Sequence, residues 1–493
     1  MTKEQNKAIV IGSGIAGLAS AIRLSKQGFE VTVFEKNSYA GGKLSHFDKD
    51  GYSFDAGPSL FTQPQNVIDL FAFAGENVAD YFDYSAVPIA CTYFYPEGQI
   101  VYAYTDKYQF AEELHTKLGE NPENVIRYLK DAELCYNHIG KFFIENSLHR
   151  ASTYRWKEVT EAISHTKLSY LLSSLNGYNK NRFKQKETIQ LFNRYATYNG
   201  SNPYSAPGML SLIPHLEQNE GTFYPKGGMI SITNALVKLA QKMGVNIVLD
   251  TEVTEILRGD KSVTGVVANG IEYKADTVVS NMDVYFTYKK LLKDDKMASK
   301  VLQQERSSSA VIFYWGIGKT FDALGLHNIF FSGDYATEFD CLFNKKTLYD
   351  DPTVYINITS KMEKEHAPEG SENWFVMVNA PHNQGQNWDE LIAECRANVL
   401  KKLSKMLKTD ISKLIKTEDI LHPLSIESRT ASYTGSLYGT SSNSKMAAFM
   451  RHPNFKSSIA GLYFVGGSVH PGGGIPLCLK SAKIVATLIS EDK

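Results

Sequence analysis

Along this chain the apolar positions change period at places that glycine marks. Residues 8–11 are continuously apolar, the pattern of a strand buried on both faces. A glycine-rich stretch follows, and residues 18–27 then carry apolar side chains at helical spacing until Gly28 stops them. Residues 30–34 are rich in β-branched side chains, which predicts a second strand. The pattern recurs far away. Residues 221–229 lead into an amphipathic helix and then into strand-like runs at 245–249, 251–256 and 275–280. Towards the other end, 461–465 read as a strand and 477–489 as a helix, with a glycine-rich loop between them. Two long stretches separate these patches. The first is helical and aromatic-rich, and the second holds the apolar run 307–317.

The first turn reads Gly12-Ser13-Gly14-Ile15-Ala16-Gly17. Gly12 permits a tight turn, Gly14 lets the backbone approach a pyrophosphate, and Gly17 lets the helix pack closely on the sheet. The free N–H groups at the helix start favour the anion. Glu35 follows Gly17 by 18 residues, where a carboxylate accepts the hydroxyls of an adenosine ribose and repels a 2′-phosphate. Lys36, beside it, is a further candidate contact. Such a turn alone is weak evidence; within strand, turn, helix, strand and glutamate it predicts a dinucleotide site.

Gly41-Gly42-Lys43 and Gly57-Pro58-Ser59 choose between dinucleotides. Two more glycine-bearing segments, one with a cation, suit a ligand longer than NAD, namely FAD. Gly41-Gly42 alone is read equally well as a plain surface turn. With Glu35, Gly41-Gly42-Lys43 and Asp55-Ala56-Gly57-Pro58 on the page, the chain resembles the flavin-containing amine oxidase and phytoene desaturase superfamily. Lys43 stands where arginine is commoner there, and it keeps the charge but loses the bidentate fork. The far loop, Gly466-Gly467-Ser468-Val469-His470-Pro471-Gly472-Gly473-Gly474-Ile475-Pro476, closely resembles the HPGxGIP segment of bacterial carotenoid desaturases. Feeding a helix start, it is a second anion site, suited to charge that builds on a flavin ring during reduction.

The resemblance implies that Val253 lies beside the adenine and that Gly227-Gly228-Met229 approaches the flavin. Asn281, after the run 275–280, is a further candidate contact. The fold expected is α/β: a discontinuous Rossmann-like FAD-binding domain (1–75, 219–288 and 439–493) with an inserted mixed sheet-and-helix substrate domain (76–218 and 289–438).

The resemblance implies a carotenoid desaturase that forms a C=C bond by hydride transfer to the flavin. The chain is most similar to hydroxycarotenoid 3,4-desaturases, which implies 3,4-desaturation of a 1'-hydroxycarotenoid. Alternatives are a phytoene desaturase, a carotenoid isomerase or saturase, an amine or protoporphyrinogen oxidase, and a non-catalytic prenyl-binding module. The resemblance implies oxygen or a quinone as electron acceptor, and no second dinucleotide fingerprint points to NAD.

Catalytic residues are not named by any Ser/His/Asp set. His470 is the one candidate proton handler, with a structural role as its alternative. Arg194 and Glu217 border the first insertion without an assigned role, and His327 is read as a structural histidine. The aromatics of that insertion, among them Phe142, Phe143, Tyr154, Trp156, Tyr170, Phe192, Tyr195 and Tyr198, are read first as core.

Bulk properties exclude more than they assign. A net charge of -1 gives no field for nucleic acid, and five scattered cysteines argue against disulfides and metal clusters. Lys3, Lys7 and the apolar stretch 8–22 have the look of a signal peptide, but the dinucleotide reading explains more of those residues. A cytoplasmic protein is expected, meeting the inner face of the membrane peripherally through residues 168–175, for which a buried helix is the alternative.

Overall fold

The computed structural model describes residues 5–154, 160, 164, 170, 172–444 and 450–492. A five-stranded sheet joins three distant parts of the chain. Its strands run in the order Leu462–Phe464, Thr277–Ser280, Lys7–Ile11, Glu30–Phe34 and Asn246–Val248. Every pairing is parallel, with Ile9 opposite both Val278 and Thr32. Val10, Val33 and Val279 are fully buried because helices cover one face and an antiparallel meander covers the other. The meander is Val253–Arg258, Val263–Ala268 and Ile271–Lys274. Helix Ile15–Lys26 crosses between the first two strands and packs against Ile230–Lys242 and Ile475–Glu491. It starts three residues earlier than the apolar spacing suggests, inside the glycine motif itself. The last helix likewise begins at Ile475, with Pro476 in its first turn, where proline's missing N–H costs no helical bond.

The second layer is a seven-stranded mixed sheet. Its order is Ile415–Leu421, Ser309–Ile317, Glu372–Ala380, Val354–Ile358, His327–Phe330, Ile89–Phe94 and Ile100–Tyr104. Pairings are antiparallel except that of His327–Phe330 with Ile89–Phe94. Period-two alternation sorts its side chains. Val311, Phe313, Trp315, Trp374, Val376, Val354 and Phe330 pack on the side of helix Trp388–Met406. Ile312, Phe375 and Leu421 pack on the opposite face, where the hairpin His46–Lys49/Tyr52–Asp55 contributes Tyr52 and Phe54. That opposite face turns towards the first sheet.

Helices Lys107–Leu118, Pro122–Cys135, Leu175–Lys180 and Lys186–Asn193 share a third core with aromatic residues of the first insertion. Phe192, Tyr195 and Tyr170 are buried there, whereas Tyr154 is half exposed. Residues 168, 169 and 171 of the stretch 168–175, and Trp156, lie outside the described residues. Among the described residues, no helix is long and apolar enough to cross a membrane.

Candidate functional site: a cavity between the two sheets

Two helix starts converge on one cavity. Gly14 caps Ile15–Lys26 and Gly474 caps Ile475–Glu491; neither offers a side-chain cap, and neither first turn holds a carboxylate. Both capping glycines line the cavity, so the N–H groups of each first turn are left for a ligand or water. The glycines are required by contact. A Cβ on Gly14 would stand 2.7 Å from Asn281 Nδ2, and one on Gly17 would stand 2.1 Å from the Gly12 carbonyl oxygen. Gly474 has φ +105 with open space beside it.

The Gly41-Gly42 segment closes onto this turn. Gly41 donates its N–H to the Ser13 carbonyl at 3.0 Å, and a Cβ on Gly42 would meet Gly14 Cα at 3.5 Å. Glu35 is held by three donors: Ser13 N–H and Ser13 Oγ at 2.9 Å to Oε2, and Asn37 N–H at 3.0 Å to Oε1. A carboxylate accepts about four hydrogen bonds, so Glu35 keeps capacity for one more donor towards the cavity it lines.

The expected site residues divide by placement. Gly12, Gly14, Ile15, Ala16, Glu35, Lys36, Gly41, Gly42, Lys43, Gly57, Pro58, Ser59, Val253, Asn281, Gly466, Gly467, Gly474, Ile475 and Pro476 line the cavity. Ser13 and Gly17 stand behind its wall, the first orienting Glu35 and the second admitting the helix against Gly12. Lys43 does line the cavity, but its Nζ donates to the Leu437 carbonyl at 2.7 Å. Burial lowers its pKa to about 8 against the pull of Asp283. Lys36 donates to the Ser428 carbonyl at 2.8 Å.

His470 is turned away from the cavity. Its Nε2 meets the Asn146 carbonyl at 2.9 Å, and burial lowers its pKa to about 4. His470 is not among the residues that line the cavity.

Sequence reasoning left several cavity residues unnamed or without a role in the site. Asp283, two positions after Asn281, pairs with Arg306 at 2.5 Å. Arg194 and Glu217 form a buried ion pair at 2.7 Å in the cavity wall. Glu217 also accepts from Tyr195 at 2.9 Å, Gln218 at 3.2 Å and Tyr198. Burial would raise the Glu217 pKa, but Arg194 and the tyrosines outweigh it and hold the carboxylate below its ordinary range. Alternation brings His327, Ile329, Thr353, Tyr355, Phe375 and Met377 to the cavity side of the second sheet. That period was readable in the sequence, whereas the pairing of Arg194 with Glu217 had no local signal.

A family model for flavin containing amine oxidoreductases matches residues 15–490. The chain belongs to that family. Among its relatives, a 1-hydroxycarotenoid 3,4-desaturase of a Flavobacterium species is 50% identical over 98% of this chain and 99% of the relative. A 4,4'-diapolycopene oxygenase of a Methylomonas species is 33% identical over 100% and 99%. In solved structures, a putrescine oxidase variant superposes with a TM-score of 0.66 at 15% identity, covering 99% of both chains. An oxidoreductase from Methanosarcina mazei gives 0.62 at 18% identity, over 98% and 100%.

This flavoenzyme's cofactor is FAD, and the cavity fits it. The two uncapped helix starts suit a pyrophosphate and a ring that gains negative charge. The Gly14–Gly41 closure leaves backbone rather than side chains facing the ligand.

Two outcomes are expected. Gly14→Val puts atoms into Asn281 and across the first helix start, so the purified protein should lose its bound flavin absorbance; full flavin content would contradict the site. Glu217→Leu strands the Arg194 charge and should cost about 3–5 kcal/mol of unfolding free energy. The double variant R194M/E217L should recover most of that loss in thermal unfolding.

Proposed function

We propose that this flavoenzyme desaturates a carotenoid, forming the 3,4 double bond of a hydroxylated acyclic or monocyclic substrate. The observation that carries the reading is the apolar limb of the cavity. Ile312, Ile329, Phe375, Met377, Leu421 and Ile426 line the same cavity as the segments 57–59, 466–468 and 473–476 proposed to hold FAD. The 50% identity to the hydroxycarotenoid desaturase supports the same substrate class.

When bound at this site, FAD would supply the acceptor for a hydride from the substrate, and the other hydrogen would leave as a proton. The chain supplies placement and field. Apolar walls exclude water and hold the polyene against the cofactor, where near-attack separations are about 3–3.5 Å. The start of helix Ile475–Glu491 and the buried Lys43 favour negative charge beside them. We assign Gly12, Gly14, Ile15, Ala16, Glu35 and Val253 to the adenosine and pyrophosphate end. Gly42, Lys43, Gly57, Pro58, Ser59, Gly466, Gly467 and Gly474 are assigned to the flavin end.

An amine oxidase is disfavoured by the carboxylates. Glu35, Asp283 and Glu217 in the wall are already engaged, and Glu252 is exposed on the Val253 side. None is free to anchor an ammonium group in the apolar limb. The engaged Glu217 is equally unsuited to take the one proton that leaves after the hydride, and a cation delocalised along a polyene needs no strong base. Oxygen or a quinone is the proposed acceptor, because no second dinucleotide fingerprint is present. Peripheral contact with the inner membrane face through the stretch 168–175 is proposed as the substrate's route; Leu172, within that stretch and 63% exposed, supports it.

Incubation of the holoprotein with phytoene, lycopene and hydroxylated γ-carotene tests the reading. Polyene absorption should move to longer wavelength, most with the hydroxylated substrate. Oxidation of an amine with no spectral change in any carotenoid would overturn it.

A further inference from the structure

The apolar limb contains a polar knot that a hydrocarbon chain would not use. Strand alternation turns His327 and Ile329 to the cavity and Phe330 to the opposite core. The imidazole Nδ1 lies 3.2 Å from Asn357 Nδ2 and 2.8 Å from Tyr355 Oη. Asn357 Nδ2 also donates to the Leu326 carbonyl at 3.1 Å, so it is the amide's donor and Nδ1 must accept. Nδ1 then carries no proton, and in the neutral ring the proton sits on Nε2. Burial keeps the ring neutral, lowering its pKa to about 4 against the opposing pull of Glu217, with a smaller push from Arg194 in the same direction as burial. Nε2–H is therefore a donor, and it has no partner although it is buried. Native proteins leave few such groups unpaired.

Arg194 presents a second vacancy. Its Nε donates to Tyr93 Oη at 2.6 Å and its Nη2 to Glu217 Oε1 at 2.7 Å. No hydrogen bond among the described residues engages Nη1, and the residue lines the cavity beside Tyr198. Two donors without acceptors, on a neutral imidazole and a guanidinium, belong to residues of one cavity wall. They match one uncharged oxygen acceptor.

We propose that His327 and Arg194 form the seat for the hydroxyl oxygen of the substrate's end group and so select hydroxylated over hydrocarbon carotenoids. The assignment rests on the carotenoid reading above and adds the residues that set its specificity. Its position agrees with the chemistry. A hydroxyl on C1 lies three bonds from C3, on the order of 4 Å, so the seat must lie close to the reacting bond. Tyr355 provides that proximity: it bonds His327 on one side and Ser59 Oγ, at 2.8 Å, on the other. Ser59 belongs to the segment assigned to the flavin end. Both residues are positioning groups, since neither takes part in bond making.

The test compares kcat/KM for a hydroxylated carotenoid and for its hydroxyl-free analogue of equal chain length, in wild type, His327→Phe and Arg194→Lys holoprotein. His327→Phe keeps a ring but no donor, and Arg194→Lys keeps the charge against Glu217 but not the fork. In each variant the ratio of the two kcat/KM values should fall at least about 10-fold, mainly through KM of the hydroxylated substrate. Losing one substrate's advantage is a change that a merely structural defect would not produce. Flavin content and unfolding midpoint identify a variant that fails to fold; His327→Phe and Arg194→Lys then stand independently of one another. A ratio equal to that of wild type in the folded variants would overturn the seat while leaving the carotenoid reading intact. Failure of the wild type to desaturate either polyene would instead overturn the reading on which it rests.

Discussion

The architecture depends on two helix starts that point at one space without caps. Their unpaired N–H groups are an electrostatic demand for a negatively charged ligand. Meeting that demand requires residues near 14 and 474 to lie side by side. The parallel sheet achieves this by setting Leu462–Phe464 one strand away from Lys7–Ile11, with Thr277–Ser280 between them. Everything inserted between those strands must then leave and return at the sheet. This is how a chain of 493 residues carries a second, seven-stranded layer across the mouth of its cofactor site.

The second layer divides its faces with the simplest rule available to a strand. Odd and even positions of Ser309–Ile317 and Glu372–Ala380 go to opposite cores, so one set packs on a helix and the other walls a cavity. Apolar walls suit a long polyene. The polar exceptions are few, and the principal ones stand in one knot: a saturated Glu217, a partly free Arg194 and an imidazole with one buried N–H. A carboxylate this fully engaged orients the guanidinium and does no proton chemistry itself.

Much of this was legible before any coordinates. The glycine turn, Glu35 and the loop 466–476 announce themselves because each is local: a few adjacent residues whose conformation or charge has one main use. Fold class follows from the same periods. Side-chain direction was less legible, because it is set by partners distant in sequence. Lys43 carries the expected charge, yet its ammonium group reaches a carbonyl at Leu437; His470 sits in the most specific motif and faces Asn146 instead of substrate. Arg194 and Glu217 gave no local sign of pairing, and the stray Nε2–H of His327 appears only when Asn357 and Tyr355 are placed around it.

The central claim is that one cavity joins an FAD seat to apolar walls that hold a carotenoid. Anaerobic mixing of the oxidised holoprotein with hydroxylated γ-carotene, followed by absorbance over a single turnover, tests both halves together. The account predicts that loss of the oxidised-flavin band is matched, mole for mole, by a polyene absorbing at longer wavelength. A flavin band that persists while the carotenoid is bound and unchanged would contradict it.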